Sequence, residues 1–110
     1  MSFDNHLADR IRKQLANQEG LTEKKMFGGI GFLLNGNMCC GVLGEEVVIR
    51  LDPEQTEKAL TNKYTREFDF SGRPMKGWIY VGAKAVENET DLKHWVQIGL
   101  KYAGSLPPKK

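Results

Sequence analysis

The chain has 110 residues, 40% of them hydrophobic and 27% charged, with a formal net charge of +2. That length fits one domain with a core of its own, and the weak, interspersed charge makes no electrostatic case for nucleic acid. No apolar run reaches the roughly 18 residues of a membrane span, and the start, MSFDNHLADRIRKQL, lacks the apolar segment of a secretory leader, so a cytoplasmic protein is expected.

Phe3, Leu7, Ile11 and Leu15 recur every fourth position and predict an amphipathic helix over about Asp4 to Asn17, with Ser2 or Asp4 as cap. Thr22 to Phe27 then enters a sheet. Gly28, Gly29 and Gly31 suggest a phosphate loop, but they lead into a second strand, Ile30 to Leu34, instead of a helix N-terminus. A bulge or a close backbone crossing explains them better. Asn35-Gly36 suits the two-residue type I′ hairpin turn, which needs φ > 0 at both positions. Simple alternation places Ile30, Phe32 and Leu34 on one face, and likewise Met38, Cys40 and Val42.

Alternation also sends the adjacent Cys39 and Cys40 to opposite faces, one of them buried and both reduced; a vicinal redox pair is the minor alternative. After a turn at Gly44-Glu45-Glu46, Val47 to Leu51 reads as another strand. Asp52-Pro53 opens a short helix ending near Leu60. Thr65 to Phe70 and Met75 to Val81 read as two strands around a turn at Ser71-Gly72-Arg73-Pro74. Gly82 to Thr90 is a polar connection. Thr90 or Asp91 caps a last helix whose Leu92, Trp95, Val96, Gly99 and Ala103 share a face. Gly104 ends it, leaving 104–110 as a flexible tail of the single 1–110 domain.

The expected fold is therefore α+β: a two-layer sandwich of an antiparallel sheet with helices on one face, in the order α-β-β-β-α-β-β-α, with room for an extra short strand. Both parities of the strands at Ile30–Leu34 and Trp78–Val81 carry apolar side chains. A second apolar face calls for a cover, so docking on another protein or homodimerisation is expected.

Several stretches together resemble a known family. They are Lys25-Met26-Phe27-Gly28-Gly29-Ile30-Gly31-Phe32, Leu34-Asn35-Gly36 and Ile49-Arg50-Leu51. Further on come Phe68-Asp69-Phe70-Ser71-Gly72-Arg73-Pro74-Met75-Lys76-Gly77-Trp78, then Trp95-Val96 and Ala103-Gly104-Ser105-Leu106-Pro107. In this order they resemble the N-terminal domain of the bacterial competence regulators TfoX, also called Sxy. The resemblance implies a fold similar to the secretion chaperones and a part in transcriptional control of competence genes. It also implies a protein partner in the transcription machinery, such as the cyclic-AMP receptor protein.

Candidate chemistry is sparse. His6 and His94 fall on the first and last helices, and neither has a second ligand at metal spacing, so no metal or other cofactor is expected. Asp69, between two aromatics, reads as a turn-capping carboxylate sooner than as a buried base. No nucleophile arrangement can be placed, and an enzyme is not expected. The best contact patch is Arg73, Lys76 and Trp78 with Arg50 and Tyr80, extended by Met26 and Phe27, because arginine and aromatic residues dominate binding hot spots. The bland reading puts Trp78 in the core and pairs Arg73 with Asp69 or Glu67. The leading functional expectation is a non-enzymatic regulatory or adaptor domain acting through protein contacts. Direct DNA binding and small-molecule binding are the alternatives.

Overall fold

The computed structural model describes residues 4–26, 28–69 and 76–108. Asp4 caps the first helix: its carboxylate accepts from the Leu7 amide at 3.1 Å, and α1 runs Asn5–Gln14. Leu7, Ala8 and Ile11 are buried along the stripe that the four-residue spacing predicted. Four strands then follow in an antiparallel meander, β1 (Leu21–Met26), β2 (Gly29–Leu34), β3 (Asn37–Leu43) and β4 (Glu46–Arg50). The expected extra strand is thus present. At the β2–β3 hairpin, Asn35 and Gly36 have φ of 52° and 86°, the pair that a type I′ turn demands.

A 3-10 turn at Pro53–Gln55 leads into the one-turn helix α2 (Thr56–Ala59). The chain continues through β5 (Thr65–Glu67), β6 (Trp78–Val81) and α3 (Glu89–Gly104). The six strands form one sheet in the order β1-β2-β3-β4-β6-β5, with α1 and α3 on one face. The fold is α+β, as the segregation of elements predicted. None of the described helices is long and apolar enough to cross a membrane. The predicted turn at Ser71–Pro74, with Phe70 and Met75, lies outside the described residues, as do Ser2, Phe3, Phe27, Lys109 and Lys110.

The centre of the sheet departs from simple alternation. Phe32 pairs with Cys40, yet Leu33 pairs with Met38, so Cys39 is the extra residue of a β-bulge. Two expectations are corrected by this one insertion. Met38 packs on the opposite face from Cys40 and Val42. Cys39 and Cys40 do not point to opposite faces: both thiols enter the core under the helices, 3.8 Å apart and unbonded. The Cys39 thiol donates to the Phe32 carbonyl at 3.3 Å. Sharing a hydrogen bond with Cys39, together with burial, pushes the Cys40 thiol well above its ordinary pKa. α3 lies directly on the bulge because Gly99 faces it; a Cβ there would stand 2.2 Å from the Cys39 carbonyl oxygen.

The glycines after β1 follow the close-crossing reading. A Cβ on Gly29 would stand 2.1 Å from the Val42 carbonyl oxygen of the neighbouring strand. Elsewhere the connections carry more structure than expected. The stretch taken as a polar connection contains a 3-10 turn, Ala83–Val86, whose Ala85 and Val86 are buried. α3 starts earlier than the Thr90 or Asp91 caps predicted: Asn88 is the cap, accepting from the Asp91 amide at 2.8 Å. Arg10 of α1 clamps this junction, donating to the Glu89 carboxylate and to the Val86 carbonyl, each at 2.7 Å. Gly104 is the last residue of α3, and the buried Asn37 amide donates to the Pro107 carbonyl at 2.8 Å.

Candidate functional site

β4 and β6 are neighbours, and their register pairs Arg50 with Trp78 and Val48 with Tyr80. These four side chains belong to the sheet face opposite α1 and α3. The structure thereby brings together three of the residues singled out from the sequence, Arg50, Trp78 and Tyr80. Phe68, arriving after β5, lies against the two aromatic rings, with centroids 5.0 Å from Tyr80 and 5.8 Å from Trp78. Arg66 then lies over the Tyr80 ring at 4.1 Å and is held there by an ion pair with Glu46. Tyr80 is consequently buried, and that burial raises its phenol pKa. Trp78 stays half-buried and Lys76 exposed.

The other nominated residues are placed differently. Met26 ends β1, and β2, β3 and β4 stand between that strand and β6. Arg73 and Phe27 lie outside the described residues. Asp69 is exposed, 4.0 Å from Arg66. His6 and His94 are both exposed on separate helices, and no group of metal-ligating side chains is present among the described residues.

Position at the end of the sheet gives Arg50 a second neighbour. Its guanidinium carbon is 5.3 Å from the Trp78 ring centroid and 5.5 Å from that of Tyr102 on α3. Each such contact contributes about 0.5–1 kcal/mol when solvent-exposed, and the two together restrict where a long arginine can lie. The backbone beneath is well fixed. The Leu51 amide donates to the Gly77 carbonyl at 2.8 Å, and the Gly77 amide donates to the buried Thr56 hydroxyl at 2.8 Å. Gly77 holds φ at +89°, a conformation that side chains strain. These bonds tie the start of β6, beside Trp78 and Arg50, to α2.

Beside this cluster lies an open groove of about 800 Å³ between the Asp52–Asn62 segment and α3. Leu51, Ala59, Trp95 and Ile98 supply its apolar lining, and Tyr102 joins it to Arg50. Lys58 on one wall and Lys101 on the other are its cations. Asp52 is the acid of the lining, and its carboxylate already accepts from the Glu54 amide at 2.9 Å. The groove was not anticipated, although α3 carries a sign of it. His94, Ile98, Lys101 and Ser105 recur at helical spacing next to the buried stripe, so the helix has a second face with its own pattern.

Residues 13–103, from the last turn of α1 to the end of α3, match the family described as the TfoX N-terminal domain. The chain belongs to that family. No curated protein and no solved structure gives a match. The matched span takes in the whole sheet and α3, and so includes both Arg50–Trp78–Tyr102 and the groove.

Proposed function

We propose that this chain is a regulatory domain of the competence type that acts without catalysis, through protein contacts made at the α2 end of the sheet. The observation that carries the reading is Arg50 held between Trp78 and Tyr102 at the mouth of the groove. A half-buried tryptophan and a pre-positioned arginine lose little side-chain freedom on binding, and these are the residue types that anchor interfaces. Membership in the TfoX N-terminal domain family supports the regulatory setting and directs the search for a partner to the transcription machinery. The weak net charge supports protein over DNA as the partner.

The test is affinity capture from native lysate with mass-spectrometric identification, comparing the unaltered chain with Trp78→Ala and Arg50→Ala. Circular dichroism and light scattering confirm that each variant is folded and of unchanged mass. A transcription-related protein captured by the unaltered chain and lost with both variants is the expected result. Capture that survives both substitutions would remove this surface from the function.

A further inference from the structure

α3 buries one stripe, Leu92, Trp95, Val96, Gly99 and Ala103, against the sheet. A second stripe, His94, Ile98, Lys101, Tyr102 and Ser105, faces the groove. Its spacing of four, three, one and three residues is that of a helix surface prepared to receive another helix. From His94 to Ser105 the wall is about 16 Å long, or about three turns. α2, which forms the opposite wall, is a single turn and leaves the middle of the groove open.

Charge specifies that helix further. The ion pairs among the described residues are made by arginine: Arg10 with Glu89, Arg12 with Asp9 and Glu23, and Arg66 with Glu46 and Asp69. Lys58 and Lys101 make none among the described residues, and they stand on opposite walls of the groove. Asp52, the acid of the lining, is committed to capping the turn that follows it. An occupant with apolar side chains toward Leu51, Ala59 and Ile98 and carboxylates along both edges would therefore meet a complementary surface.

We propose that the α2–α3 groove is the docking site for an acidic amphipathic helix of a partner protein, seated lengthwise with its apolar stripe on Ile98 and Ala59 and its carboxylates on Lys58 and Lys101. This rests on the protein-contact reading above and names the form of the contact.

The experiment is titration of the full chain, observed by amide chemical shifts, with a designed amphipathic peptide of about 16 residues, long enough to present three turns. One peptide carries glutamates beside its leucine stripe, and a second carries lysines in the same places. Saturable shifts confined to residues 51–62 and 94–105, with the acidic peptide preferred about tenfold, are expected from two favourable charge contacts becoming repulsive. The double variant Lys58→Glu/Lys101→Glu alters two exposed side chains and leaves the core untouched, so it should fold; it is expected to reverse the preference. Equal affinity for both peptides, or shifts mapping elsewhere, would overturn the proposal. So would concentration-dependent shifts of the groove without peptide, which would make a second copy the occupant. Shifts produced by the small amphiphilic anion 8-anilinonaphthalene-1-sulfonate but by neither peptide would likewise overturn it, in favour of a small-molecule site. Loss of partner capture by Trp78→Ala alongside a failed peptide titration would leave the protein-contact reading standing and remove only the helix.

Discussion

The two faces of the sheet solve the same problem with different means. On one, α1 and α3 lay whole apolar stripes over Phe32, Val42, Ile49 and Ile79, all with no exposure at all. On the other, Val48, Phe68 and Tyr80 form a small separate cluster, flanked by the half-buried Met38, Leu43 and Trp78. There, among the described residues, the Phe68 ring and the ion-paired Arg66 cover Tyr80. The first face holds the fold; the second leaves partly wet aromatic surface running toward the groove. The two faces thus differ in how completely they are covered, and substitutions on each can test that difference.

The largest effect should come from the helix-covered face. Phe32→Ala is expected to cost about 4 kcal/mol in urea denaturation, because a fully enclosed site has little freedom to collapse around the cavity. Gly99→Ala should follow at about 3 kcal/mol, since its Cβ meets backbone, the Cys39 carbonyl, and α3 must lift from the sheet. Phe68→Ala should cost only about 2 kcal/mol, as Met38, Leu43 and Trp78 can close over the gap. Equal losses for the two phenylalanines would break the distinction between the faces.

The smallest effect concerns the clamp that joins the helices over the first face. The hydrogen bond from Arg10 holds the Glu89 carboxyl below its ordinary pKa of 4.5. A depressed acid stabilises the fold above its unfolded pKa and loses that contribution as pH falls through the folded value. The stability difference between the unaltered chain and Glu89→Gln should therefore shrink as pH falls below the ordinary carboxyl value of 4.5 and through the lower folded one. A difference independent of pH would mean that the Arg10 bonds to the Val86 and Glu87 carbonyls carry the junction alone.

Much of this fold could be read residue by residue. The stripe of α1, the buried set on α3, the Asn35-Gly36 turn and the Asp52 cap all depend on neighbours within a few positions, where spacing and side-chain chemistry suffice. The cysteine pair defeated the same logic. Alternation by two holds only while the ladder is regular, and one inserted residue reversed Met38 relative to Cys40 and put both thiols in the core. Nothing local marks that bulge; the residue that fits closely over it, Gly99, comes from α3 across the core. Likewise Ala85 and Val86 read as linker because their burial comes from α1 and α3 instead of from their own stretch.

The site divides along the same line. Arg50, Trp78 and Tyr80 were legible as a patch because β4 and β6 were both recognisable strands with aromatic or basic residues on one parity. That Tyr80 is covered by Phe68 and Arg66, that Arg50 also reaches Tyr102, and that α2 and α3 leave a cationic groove between them depend on contacts between residues more than ten positions apart. The sequence by itself carried the family resemblance in its motifs, and it determined the fold class and most of the elements because hydrophobic period and turn chemistry are short-range properties. Only the tertiary structure decided which apolar face is sealed and which stays available, since burial belongs to the assembled layers and not to any one of them.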